Sequence, residues 1–561
     1  METSRRSLLT TGLIGGGLAL GVGATLVDQR PSAAAAALRT DPFTLGVASG
    51  DPLPDGFVIW TRLAPEPLAD DGMGGMPSTS TEVVWQVAAD EAFSDVVRAG
   101  RVRTGPDLGH AVHVEVHGLR PGRPYFYRFR AGRHLSPAGR SMTAPAPGDM
   151  PSSLAMSFAS CSQFEHGWFT AYRRLAEDRP DLVLHLGDYQ YEYRKDVYVS
   201  PTGNVRDHDG PETVTLANYR QRLAQYKTDP DLQAAHAVAP WLVVFDDHEV
   251  DNNWADEIAE NAASQPGFLD RRAVAFRAYF ENMPLRRTSL PSGIDMRLHR
   301  RLQWGQLATF HMLDTRQYRD DQACGDGYDD CPAADDPARS LPGAEQEAWL
   351  ADGFAASTQR WDVLGQQVFF GRRDSTPTPD NRVSMDAWDG YAASRDRVVE
   401  SWAAVRNPVV LTGDVHAHWG SDVLADWRDA DSEVLGSEFV TSSITSGGDG
   451  YDKADGTHPW AVQNPNLRFW TNLRGYVRTT ITPESFAVDY RCLPKVTAAG
   501  APAFTRASFV VEDGVRGMRQ TADNPLPEAR LSTTSLSRRT AAPAPDDLTI
   551  VRDTVAAETG H

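Results

Sequence analysis

VVFDDHEVDNNW, Val243 to Trp254, opens as an apolar run and stops in three acids and a histidine, followed by a fourth acid, two asparagines and a tryptophan. A segment built for burial that ends in so much charge is either a strand running out into a solvated loop or a strand feeding a site. Repetition decides between them. LAMSFASCSQ, 154–163, leads to Cys161, and DLVLHLGDYQYEY, 181–193, leads to Asp188 and Tyr191. LATFHMLDTRQ, 307–317, leads to Asp314 and Arg316, and NPVVLTGDVHAHW, 407–419, leads to Asp414, His416 and His418. Buried strands of α/β sheets deliver their C-terminal loops to one edge, where ligands bind. Five such strands would crowd carboxylates, imidazoles and a thiol around one crevice. Unpaired, those acids would repel and their pKa values would rise. Cations remove the difficulty.

The chain has 561 residues, 41% of them hydrophobic, and a formal charge of -20. That length suggests about three domains, or two unequal ones. The acidic far field argues against a nucleic-acid or anionic-membrane surface, so an anionic substrate needs a local cationic site. Residues 1–37 have the outline of a twin-arginine signal peptide: Arg5-Arg6, an uncharged stretch from Leu8 to Val27, and small residues from Ala33 to Ala37. Gly15, Gly16, Gly17, Gly21 and Gly23 make the stretch too weakly apolar for a membrane span. We therefore expect a secreted protein with no transmembrane anchor after cleavage, acting as a monomer. In that setting Cys324 and Cys331, in ACGDGYDDC, are expected to form a disulfide. Cys161 and Cys492 either pair or stay as thiols.

Residues 41–130 read as β. In VHVEVHGLRPGRPYFYRF, Val112, Val114 and Val116 alternate with polar residues before Pro121-Gly122, and Tyr125, Tyr127 and Phe129 alternate after it. Leu119, Pro121, Gly122 and Tyr125 resemble the aromatic corner of a fibronectin type III-like sandwich, and Trp60 and Trp85, on two further strand candidates, are expected to be core residues. Residues 131–153, rich in Pro, Gly, Ser and Ala, read as a linker. From 154 to 517 strands alternate with helical patterns, which predicts a layered α/β core. Residues 518–561 lose periodicity and read as a flexible tail.

GDYQY at 187–191, DDHE at 246–249 and GDVHAHW at 413–419 resemble the metal-binding motifs of the calcineurin-like metallophosphoesterase superfamily, and more closely those of its alkaline phosphatase D (PhoD-like) family. FTLGVASGDPLPDGFVIWTRL at 43–63, FASCSQ and LDTRQYR extend the likeness over nearly the whole mature chain. Some actinobacterial enzymes called phospholipase D are similar to the same family. The resemblance implies a metallophosphoesterase fold, a layered β-sandwich core flanked by helices and preceded by the small all-β domain.

The resemblance also implies a mixed metal centre. Cys161 stands where the superfamily has an acid, and Tyr191 resembles the phenolate ligand of purple acid phosphatases; thiolate and phenolate together suit ferric iron. Cys161, Asp188, Tyr191 and His416 are assigned to one iron, with Asp188 bridging to a second metal. Asp247 and Asp414 replace superfamily nitrogen ligands by oxygen, which favours calcium. Asn252, or Asn253, supplies a further oxygen to it or to a second calcium, or else stabilises the loop. The implied reaction is hydrolysis of phosphodiesters and phosphomonoesters by a metal-activated hydroxide. His248 is the candidate to stabilise the transition state or protonate the leaving group. Arg316 either clamps a phosphoryl oxygen or pairs with Asp314. Phospholipase D-type hydrolysis of lipid head groups is the near alternative, and a noncatalytic wall-binding or adhesion protein the distant one.

Overall fold

A computed structural model describes residues 38–376, 381–429 and 431–526. The export segment expected over 1–37 and the part of the tail after 526 lie outside the described residues.

Apolar runs of five residues form the strands Leu182–Leu186, Pro240–Val244 and Pro408–Thr412, in which every residue is buried. Such strands are covered on both faces, which is why they read as continuous hydrophobic runs. Nearer the edges the pattern becomes alternating, as in Ser485–Cys492, where buried residues come every second position.

The strands build two large sheets. The ten-stranded sheet runs Arg519–Asp523, Phe504–Glu512, Ser485–Cys492, Gly475–Ile481, Leu154–Ala159, Leu182–Leu186, Pro240–Val244, Val47–Leu53, Gly56–Arg62 and Ala111–Val116. Its central strands are parallel, with Leu184 opposite Phe158 on one side and Leu242 on the other. The seven-stranded sheet runs Arg300–Trp304, Ala308–Met312, Trp361–Gln366, Pro408–Thr412, Val434–Val440, His418–Leu424 and Leu467–Thr471. The four strands from Ala308–Met312 to Val434–Val440 in that order are parallel.

Period-two alternation assigns the faces. Val409 and Leu411 join Phe158, Leu184 and Met312 in the main core, while Val410 joins a separate core with Leu350, Phe354 and Val398 of the helices Ala344–Ala355 and Ala392–Glu400. On the other sheet His185 turns toward the helix Thr170–Asp178, where its Nε2 meets the Tyr172 hydroxyl at 2.8 Å. The result is the expected helix, sheet, sheet, helix layering.

The N-terminal region is all-β. Val96–Thr104, Thr81–Ala88, Pro124–Ala131 and His134–Leu135 form a small sheet. It packs through Val83, Val87, Tyr127 and Phe129 on Val47, Phe57, Ile59 and Val112. Tyr125 makes the expected corner, its hydroxyl accepting the Arg120 amide at 3.0 Å. Trp60 is fully buried, whereas Trp85 is only half-buried. One layer of this sandwich is also the end of the ten-stranded sheet, because Ser49 and Gly50 pair in parallel with Pro240 and Trp241. The stretch expected as a linker contains the strand Gly139–Met142, which pairs with Pro124–Ala131. Likewise Arg519–Asp523, expected in the tail, pairs with Phe504–Glu512. Both stretches are short and polar, so their sequence lacks the hydrophobic period that marks a strand.

Candidate active site

The carboxyl ends of the parallel strands from both sheets meet at one rim, and the chain there is held in unusual backbone conformations. Cys161, Asp188, Asp414 and His416 all have φ between 53° and 61°. Side chains with a Cβ rarely adopt this left-handed region, and such residues cluster at functional sites. The glycine before Asp188 has a steric reason. Gly187 has φ 102°, and a Cβ there would lie 2.4 Å from the Asp246 Cβ. Only glycine lets the two acid-bearing loops approach so closely.

Ligand-type atoms converge in three overlapping groups, each within 4.8 Å: Cys161, Asp188 and His416; Asp188, Asp247 and His248; and Asp188, Asp246, Asp247 and Asp414. Asp188 belongs to all of them. The Tyr191 hydroxyl joins the first group, 2.9 Å from Asp188 Oδ2 and 3.1 Å from His416 Nε2, with Ser446 Oγ donating to it at 2.8 Å. Asn252 lines the same cleft, with its side-chain amide donating to Glu260 at 2.8 Å. Asn253 instead supports Asp247, donating its backbone N–H to Oδ2 at 2.8 Å.

Electrostatics mark this as an arrangement that requires cations. Burial, reinforced by Asp247, pushes the Asp188 carboxyl well above its ordinary range, and burial with Asp246 does the same to Asp414. The Cys161 thiol and the Tyr191 phenol are pushed up too, by burial first and by Asp188 next. Asp188 Oδ1, Asp246 Oδ2 and Asp247 Oδ1 are buried with no hydrogen-bond partner. Orphaned anionic oxygens beside a thiol, a phenol and an imidazole are a donor set that fits metal ions, hard oxygen on one side and softer donors on the other.

His248 sits between the two loops. Its Nδ1 is 2.8 Å from Glu192 Oε2, which leaves Nε2 on the side of Asp247 at 3.9 Å. Burial lowers its basicity, but Glu192, Asp247 and Asp188 more than offset this and push its pKa up.

Arg316 takes neither expected place. It is fully buried, with Nε 2.6 Å from Asp246 and its two terminal nitrogens 2.8 and 2.9 Å from the carboxylate of Asp386. Asp314 accepts its backbone amide at 3.0 Å, together with the backbone amide and side chain of Gln317, and does not meet its guanidinium. A guanidinium occupied by two buried carboxylates is a counter-ion beneath the site rather than a clamp on substrate. His418 likewise turns into the core, where its Nδ1 accepts the Ser442 amide at 3.0 Å. Cys324 and Cys331 are bonded, with Cα atoms 6.3 Å apart, and their loop presents Tyr328 to the cleft. Cys161 and Cys492 are separate buried thiols.

Several functional residues had no sequence assignment. Glu249 accepts the backbone amides of Asp188, Tyr189 and Asp246 at 3.1, 2.5 and 2.8 Å, tying two ligand loops to one carboxylate. Glu192 orients His248. Arg373 lines the cleft with Tyr193, Tyr198 and Tyr328 and, among the described residues that do so, is the one arginine or lysine. Its position could have been suspected, since WDVLGQQVFFGRRD is another apolar run ending in charge.

Comparison with known proteins gives a concordant result. Residues 155–490 match the PhoD-like phosphatase family, and residues 29–145 match its N-terminal domain. The chain is 49% identical over 514 residues to alkaline phosphatase D of Bacillus subtilis (strain 168), covering 91% of this chain and 86% of that protein. A solved structure described as that of PhoD superimposes with a TM-score of 0.87 at 47% identity, covering 93% of this chain and 98% of the other.

Proposed function

Since the chain belongs to the PhoD-like phosphatase family and is a phosphoesterase, we propose that it hydrolyses phosphodiesters and phosphomonoesters outside the cytoplasm, at a centre of one ferric ion and one or two calcium ions. Cys161, Asp188, Tyr191 and His416 would hold the iron. Asp188, Asp247 and Asp414 would hold a calcium, with Asn252 offering its carbonyl oxygen. The observation that carries the reading is the meeting of four carboxylates, Asp188 among them, within 4.8 Å of one another, three of their oxygens buried without a partner. When bound, such ions polarise phosphoryl oxygens and make water nucleophilic near neutral pH.

The protein's own groups do the rest. Arg373 attracts the ester's anionic oxygens into a cleft otherwise rich in acids and tyrosines. His248, oriented by Glu192 through Nδ1, presents its Nε2 proton toward the leaving alkoxide. Arg316 balances Asp246 and Asp386, and so lets the neighbouring Asp247, 3.7 Å away, remain ionised. Glu249 fixes the spacing of the Asp188 and Asp246 loops. Export by the twin-arginine route fits the Arg5-Arg6 segment, and no helix among the described residues is long and apolar enough to cross a membrane.

Assays of the purified protein on a chromogenic monoester, a bis-ester and phosphatidylcholine, with and without a calcium chelator, test the reading. Chelator-sensitive hydrolysis of both small esters is expected. Head-group release from lipid with neither small ester cleaved would overturn it in favour of phospholipase D-type activity.

A further inference from the structure

Outside the cleft three more carboxylates meet. Glu165 lies in the turn Phe164–His166 after Cys161, and Asp196 and Asp207 lie on the loop that follows Tyr193. One oxygen from each lies within 4.8 Å of the others. Asp196 and Asp207 are exposed and Glu165 is fully buried. Surface acids gather often enough without consequence; the buried member is what distinguishes this group.

Glu165 Oε1 accepts the backbone amides of Asp196 at 3.2 Å and His208 at 3.3 Å. Its Oε2 is buried with no hydrogen-bond partner. His208 Nδ1 is 3.5 Å from Oε2 but cannot serve it. The Tyr226 hydroxyl accepts the amides of Phe164 and Tyr191 at 3.0 and 3.1 Å, so its own proton points to His208 Nε2 at 3.0 Å. The imidazole hydrogen is then on Nδ1 and is donated to the Tyr193 carbonyl at 2.9 Å. Lys195 Nζ pairs with Asp207 at 2.7 Å, so three carboxylates face one ammonium and two negative charges remain locally. Arg222 acts on Glu165 from further away, its hydrogen bonds going to the carbonyls of Tyr191, Tyr193 and Pro211. Burial pushes the Glu165 carboxyl up to about 7, against the pull of the two amides, so a neutral acid is the competing state.

We propose that Glu165, Asp196 and Asp207 hold a calcium ion, distinct from the ions of the cleft, that braces the loop between Tyr193 and Asp207. The donors are all oxygen, with no thiolate or imidazole, and two of the three residues are solvent-facing, so water can complete the shell; calcium accepts such irregular, partly hydrated sites where magnesium demands a regular octahedron. A divalent ion cancels the two residual charges and satisfies Oε2. Tyr193 and Tyr198, on the braced segment, line the active cleft, so the ion would fix one wall of it. This consequence rests on the phosphoesterase reading; the site itself does not.

Equilibrium dialysis of the holoenzyme with radioactive calcium, up to about 10 mM because extracellular calcium modules bind at roughly 10⁻⁴–10⁻³ M, counts the ions. Wild type, Asp196→Asn/Asp207→Asn and Glu165→Gln are compared, with iron measured in the same samples. Both variants should bind one calcium fewer than wild type with unchanged iron. Equal stoichiometry in all three proteins overturns the proposal. Loss in the surface double variant with full binding by Glu165→Gln also overturns it, since the buried ligand would then be idle. Absence of iron from every sample would count against the cleft assignment alone, leaving the calcium difference to decide this one.

Discussion

Glu192 Oε2 and His248 Nδ1 lie 2.8 Å apart across the floor of the cleft, and the same carboxylate accepts the Asn252 amide through Oε1 at 3.0 Å. Glu192 therefore sets both the ring plane of His248 and the start of the loop that continues to Asn253. The pair makes the acid role proposed for His248 a positional property.

Glu192→Gln should lower kcat by roughly 10- to 100-fold with little change in KM, in the range of outer partners that orient a site. His248→Ala should cost more, about 10²–10⁴-fold. Steady-state kinetics on a bis-ester check both. A Glu192→Gln enzyme with wild-type kcat would show that the ring is placed by other contacts.

Arg316→Met separates the counter-ion role from a substrate clamp. Removing a guanidinium held by Asp246 and Asp386 leaves buried Asp246 uncompensated, while Asp386 keeps Arg319, and breaking such a pair costs about 3–5 kcal/mol. Denaturant unfolding should show a loss of that size. Unchanged stability with a raised KM would restore the clamp.

Arg373→Met should cut kcat/KM for anionic esters by roughly 10- to 100-fold, the worth of a hydrogen bond to a charged group at about 1.5–3 kcal/mol. Arg373→Lys should recover part of it, because charge is kept and the planar fork is lost. Equal kcat/KM for wild type and Arg373→Met would remove Arg373 from substrate binding.

Acid should unfold the protein through histidines remote from the metal cluster. Burial holds His110 and His113 at about 4, with His113 stacked on Phe280 at 4.5 Å between centroids. In the unfolded chain the same rings titrate near about 6.5. As pH falls from about 6.5 to about 4 the unfolded state binds protons that the folded state refuses, so stability drops through that window and is flat with respect to these groups above it. Thermal melts from about pH 8 to about pH 5 should show Tm falling at the acid end, and a Tm that rises there would contradict the assignment.

The sequence showed the strands whose residues are buried on both faces and the acids at their ends, because both signals are local. It therefore indicated Cys161, Asp188, Tyr191, Asp247, Asp414 and His416 as one cluster. It could not show that Val47–Leu53 pairs with Pro240–Val244, a parallel contact between distant segments with no turn to announce it. Nor could it show the partners of Arg316. Asp314 is two residues away, but Asp246 and Asp386, each 70 positions distant, are nearer in space. Glu192 and Glu249 escaped for the same reason, since their roles consist of contacts made across loops, whereas Arg373 follows an apolar run that carries the same local signal as the others.

The most direct test of the central claim, that multivalent cations make this crowd of acids tolerable, is metal analysis of the native protein. At least one iron and one calcium per chain are expected, with activity lost on their removal and regained on their return. A fully active chain containing neither metal would contradict the account.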